Sequence, residues 1–267
     1  MTKANPIVIC RTKTNQRVLW SIFILIMGVC FSCRGNDNPY PYTFFSTRNY
    51  EGTLVEDLAK HVKKNDTIAI IEFLRKNPTV SIDTKDKFFG SSLLMFAIYN
   101  GQYEAFHCLL HHGANPNFVA DYRKETPLYL AAGYCGPQYE SNPIFCKELL
   151  EHGADPNYGY VIHRAAGREL EYVKILVEYG ANYNTKYYGQ SPADEAIILC
   201  QPEIAVFLII DKKALLYNPP FWKNWDDTGN SQFASLKKKI VNYLKSHPEQ
   251  LMYRMANKNG ESLTRGQ

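Results

Sequence analysis

The 267-residue chain is poor in the short signatures that mark most catalysts. It has no glycine-rich phosphate loop, no G-x-S-x-G elbow, no H-E-x-x-H zinc pair and no second CxxC to build a metal framework with Cys30 and Cys33. Nothing therefore points to nucleotide hydrolysis, serine-type acyl transfer or zinc peptidase chemistry, and no catalytic residue, cofactor or metal is expected. Acid is missing from one place in particular. Residues 1–33 carry Lys3, Arg11, Lys13 and Arg17 but no Asp or Glu. Removing those four from the 30 basic residues leaves 26 against 26 acidic ones, so the formal charge of +4 belongs to the N-terminus. A neutral remainder makes a poor phosphate-binding surface, and nucleic acid is not an expected partner. With 45% hydrophobic and 21% charged residues, the chain still has ordinary material for a core.

A long membrane-spanning run is also missing. VLWSIFILIMGVCFSC, residues 18–33, is uncharged and stops at Arg34, short of the roughly 20 apolar residues a spanning helix needs. It matches the core of an export signal. Its end, CFSC, resembles the lipobox of bacterial lipoproteins: the small Ser32 precedes Cys33, whose thiol would receive diacylglycerol, although Cys30 stands where that pattern has an aliphatic residue. The resemblance implies a signal peptide over 1–32, lipidation at Cys33, and an exported chain anchored in the bacterial cell envelope, facing the periplasm or the surface. An uncleaved N-terminal anchor is the competing reading. The segment GNDNPYPYTFFSTRNY, 35–50, has no period, and 33–50 reads as a flexible tether.

Beyond the tether one phrase recurs: CLLHHGANPN at 108–117, ELLEHGADPN at 148–157 and ILVEYGANYN at 175–184. Gly113, Gly153 and Gly180 each follow an apolar run, where a helix that must stop and reverse needs left-handed dihedrals. Before each phrase lies an alanine-containing segment, and Ala97, Ala131, Ala165 and Ala196 are spaced by 34, 34 and 31 residues. This periodicity resembles the ankyrin repeat family, whose unit is a turn and two antiparallel helices opening with Thr-Pro-Leu-His. Thr126, Pro127 and Leu128 match that opening, His163 holds its histidine position, and Ser191 with Pro192 gives a weaker version.

The resemblance implies an all-α ankyrin-repeat solenoid over 51–267, of about five to six units with short hairpin fingers. FLRKNP at 73–78 and YLKSHP at 243–248 mark degenerate terminal repeats, with Lys60, Lys63 and Lys64 and then Lys237, Lys238 and Lys239 on solvated cap faces. An insertion falls at 134–143 and a proline-aromatic loop at 218–230; the five residues from Asn157 to Ile162 shorten or delete one finger. Members of this family bind through the fingers and the concave face of the first helices. Here Tyr122, Arg123, Tyr158, Tyr160, Tyr183, Tyr187 and Tyr188 fall at or near turns, and tyrosine offers broad, rigid contact with a polar tip. A monomer that binds an unknown protein partner is expected, as a scaffold or as an inhibitor or immunity protein. The competing class is an enzyme walled by the 134–143 and 218–230 loops.

Histidine and cysteine add little chemistry. His107 and His111 are four apart, as metal ligands can be, but no carboxylate or cysteine of suitable spacing completes the set. His112 and His152 share one repeat position, which favours a structural role. His163 would hydrogen-bond backbone in the adjacent turn, as the resemblance implies. Cys108, Cys146 and Cys200 sit on apolar helical patterns as buried thiols, while Cys135 in the insertion could instead bridge to Cys146.

Overall fold

The computed structural model describes residues 46–133, 142–218 and 231–251. Among these residues there are eleven α-helices and no strand, forming five helix pairs and one further helix. The pairs are α1 (Glu56–Lys63) with α2 (Thr67–Lys76), α3 (Leu93–Tyr99) with α4 (Tyr103–His111), and α5 (Pro127–Ala131) with α6 (Pro143–Glu151). They continue with α7 (Val161–Ala166) and α8 (Leu170–Glu178), then α9 (Pro192–Ile198) and α10 (Pro202–Val206), before α11 (Ser231–Ser246). Contacts divide the chain at 182/183 into two compact units.

In the unit ending at Asn182, each helix packs on its own partner, first helices also pack on first helices, and α2 packs on α4 and α6 on α8. Ala97, Ala131 and Ala165 are fully buried where paired helices approach, as are Leu109, Leu149 and Leu176. Phe106 of α4 meets Phe145 of α6 edge to face at 4.9 Å between ring centroids, so the core runs from one repeat into the next. Thr126 caps α5 by accepting from the Tyr129 amide, with Pro127 at the first helical position. The α4 helix lacks a cap of its own. Asn65 of the preceding repeat supplies one, its Oδ1 accepting from the Ala105 amide at 2.8 Å.

The recurring phrase is a Schellman closure three times over. Gly113, Gly153 and Gly180 take φ of +89°, +84° and +86°. Their amides donate to Leu110, Leu150 and Val177, and the following Ala114, Ala154 and Ala181 amides donate to Leu109, Leu149 and Leu176. The asparagine ending each phrase then reaches the next one. Asn117 donates to the Gly153 carbonyl at 2.8 Å and accepts from the Asp155 amide at 2.7 Å. Asn157 does the same to Gly180 and Asn182, at 3.3 and 2.7 Å. Asp83 holds this place in the first repeat, where its carboxylate only accepts, from the Asn115 amide. His112 and His152 bond the carbonyls of Cys108 and Glu148 one turn back, the structural role their shared position suggested.

The second unit holds α9, α10 and α11. Ser191 and Asp194 form a full capping box on α9, so the weaker-looking opening is the better capped. Asp194 also accepts from the Tyr217 and Asn218 amides, and burial pushes its carboxyl up against those donors. A π turn, Phe207–Asp211, follows α10, and Leu216 pairs with Leu251 in an isolated parallel bridge.

Three expectations need correction. The tether does not reach residue 50: Thr47–Tyr50 is a 3-10 turn with Tyr50 buried, its hydroxyl donating to the Ser91 carbonyl at 3.2 Å. Cys146 does not pair with Cys135; it is a thiol fully enclosed on the core side of α6. Cys200, expected to be a thiol, is disulfide-bonded. The signal segment 1–32, Cys33, Cys135, and residues 134–141, 219–230 and 252–267 lie outside the described residues.

Asn117→Ala removes both bonds to the next repeat and should lower the unfolding free energy by about 1 kcal/mol in urea melts. Asp83→Asn restores the missing donor and should raise it by about 0.5 kcal/mol. Burial raises the Asp83 carboxyl pKa, opposed by the Asn115 amide. The folded chain then holds that proton more tightly than the unfolded one, so the Asp83 contribution to stability falls as pH rises from the ordinary aspartate value through the raised one. Asp83→Asn should abolish that fall.

Candidate functional site

The fingers are built by local backbone chemistry. In the first, Asp86 is buried and its carboxylate accepts from the Phe88, Phe89 and Ser91 amides at 2.7–2.9 Å, forcing residues 86–91 into a tight turn. Gly90 completes it at φ +63°, and a Cβ there would lie 2.2 Å from Asp121 Oδ2 on the next finger. That second finger closes through the Ala120 amide and Glu125 carbonyl, and the Tyr122 amide donates to Phe89. Lys85 and Asp121 pair across the two at 2.8 Å. These two fingers thus stand side by side as one surface.

Tyr122 is 46% exposed. Its ring rests edge-on against Phe89 at 5.8 Å and receives the Arg123 guanidinium at 5.4 Å. The third finger is truncated to a 3-10 turn, Tyr158–Tyr160, that runs straight into α7, as the short spacing before Ile162 suggested. Tyr158 and Tyr160 are both exposed, and Tyr160 covers the buried His163 edge to face at 5.7 Å.

In the second unit, Tyr187 and Gln190 exchange backbone bonds of 2.9 and 3.0 Å, leaving Tyr188 and Gly189 as the two turn residues at φ +48° and +78°. A two-residue turn of this hand favours Asn-Gly. Tyr188 instead stands at the tip, 88% exposed, with its ring 4.5 Å from that of Tyr187. Tyr183 is half-buried.

All six finger residues expected to bind a partner are exposed. Tyr122, Arg123, Tyr158 and Tyr160 belong to the first unit, and Tyr187 and Tyr188 to the second. Sequence reasoning missed Phe88, which is 44% exposed on the first finger. It lies 34 residues before Tyr122, the same step that separates Ala97 from Ala131, so the period itself could have found it. Left-handed Arg123, Lys124, Tyr160 and Tyr188 are a second signal only the backbone reveals. Such side chains cost stability where Asn or Gly would not.

A further cluster lies on the second helices. Glu148 of α6 accepts from Tyr103 of α4 at 2.9 Å and sits 2.6 Å from His107 Nδ1. Burial, and then the Glu148 carboxylate, push the Tyr103 phenol up to about 12, keeping it a donor. The carboxylate that spacing alone did not supply comes from the neighbouring repeat.

Tyr188→Asn suits the turn better and should raise unfolding stability by about 0.5 kcal/mol. Tyr122→Ala should change it by less than about 1 kcal/mol, since the ring is half-exposed where it meets Phe89 and Arg123. Thermal or urea melts check both.

Among the described residues no helix is long and apolar enough to cross a membrane. No curated protein matches the chain. A family model described as ankyrin repeats (3 copies) matches residues 58–160 and 138–218, which hold the stacked helix pairs, the Schellman closures and the fingers. The chain belongs to the ankyrin repeat family, whose members are in general non-catalytic modules of protein–protein interaction.

Proposed function

We propose that the chain is a protein-binding module tethered to a bacterial cell envelope, capturing a partner protein on its finger face. The observation that carries this reading is the joining of the first two fingers into one surface, with Phe88 and Tyr122 exposed on adjoining turns. Preformed contacts limit the entropy lost on docking, and exposed tyrosines suit anchoring in a partner's pockets. Support for tethering comes from the basic, acid-free start, the short apolar run at 18–33 and the lipobox-like end at Cys33. A scaffold for a resident envelope protein and an inhibitor or immunity protein use the same surface. They differ in whether binding abolishes the partner's activity.

Affinity capture of the tagged full chain from detergent-solubilised envelopes should recover a partner that is lost when Tyr122, Tyr158, Tyr160, Tyr187 and Tyr188 are changed to Ala. Equal recovery by both chains would move the binding surface away from the fingers. Fatty-acid labelling should be abolished by Cys33→Ala, and undiminished label would exclude that cysteine as the anchor.

A further inference from the structure

His107 and His111 lie one turn apart on α4, and Glu148 projects from α6 of the next repeat, so that one donor atom from each lies within 4.8 Å of the others. The carboxylate is oriented before any ion arrives. Its Oε2 accepts from the Tyr103 hydroxyl at 2.9 Å, while Oε1 faces the imidazoles, 2.6 Å from His107 Nδ1 and 3.8 Å from His111 Nδ1. His111 Nδ1 also lies 3.0 Å from the His107 carbonyl oxygen. Donating there leaves Nε2 with a free lone pair, the arrangement that metal-binding histidines commonly adopt.

Exposure is divided in a useful way. The Glu148 side chain is 8% exposed, against 50% and 49% for His107 and His111. A buried carboxylate thus floors a cluster whose imidazoles are open to solvent, giving an ion a route in and leaving positions for water. Two imidazole nitrogens and one carboxylate oxygen suit a borderline divalent ion of the zinc class, whereas magnesium and calcium favour all-oxygen shells.

We propose that His107, His111 and Glu148 form a divalent transition-metal site that bridges two adjacent repeats. The ion takes the place of the hydrogen between His107 Nδ1 and Glu148 Oε1, and the neutral imidazole carries its one N–H on Nε2 instead. Drawing the donors to about 2.0–2.2 Å from the ion asks movement mainly of the half-exposed imidazoles. Coordination then ties α4 to α6 beside the Phe106–Phe145 contact. This inference is independent of the finger surface and of any partner bound there.

The test uses the full chain, stripped of metal, with Zn2+ and Co2+ as probes. Calorimetry should give one Zn2+ per chain, and Zn2+ at about 100-fold over its Kd should raise the thermal midpoint by roughly 5 °C. Co2+ should produce visible absorption bands of a four- or five-coordinate nitrogen–oxygen site. His111→Ala changes a half-exposed side chain and should weaken Zn2+ binding at least about 10-fold, with Tyr103→Phe weakening it about 10-fold through the unsupported carboxylate. His112→Ala, at the C-cap of the same helix, should leave affinity unchanged. A flat Zn2+ titration, or equal affinity in the parent chain and His111→Ala, would overturn the proposal.

Discussion

Each repeat carries more apolar surface than its own two helices can hide. The first helices are five to eight residues long and the second helices run to ten at most, too short to persist in water on propensity alone. Leu109 and Leu149 are fully buried, and Phe106 finds Phe145 across the boundary between two repeats. Stability is therefore shared between neighbours rather than owned by any one repeat.

Stacking alone would let repeats slide, and polar groups fix the register. The Schellman closure at Gly113, Gly153 and Gly180 leaves a carbonyl and an amide in the same place after each second helix. The Asn117 and Asn157 side chains, each donor and acceptor at once, match both groups of the following closure. With the scaffold secured there, the fingers are free of structural duty at their tips. This explains how Tyr188 and Arg123 persist in left-handed conformations that a purely stabilising sequence would give to Asn or Gly.

Much of this was legible in the sequence because it is local or periodic. The glycine-ended phrase, the Thr126–Pro127 cap, the spaced alanines and the shortened finger before Ile162 all depend on neighbours within a few residues, or on steps of about one repeat. The tyrosine fingers could be read for the same reason. What escaped depends on contacts that no spacing rule encodes. Glu148 joins His107 from 41 residues away, on a helix whose face is set by stacking. Asp86 acts through three amides of its own turn, where an aspartate among lysines reads only as surface charge. Tyr50 looked like tether until its burial against Phe96 at 5.9 Å placed it in the core.

Adjacent repeats share one core, and a double-mutant cycle on Phe106→Leu and Phe145→Leu tests this most directly. Urea unfolding of the parent chain, both single variants and the double variant should yield a coupling of about 0.5–1.5 kcal/mol between the rings. Losses that simply add, within about 0.3 kcal/mol, would show that the two phenylalanines do not meet and would contradict the stack.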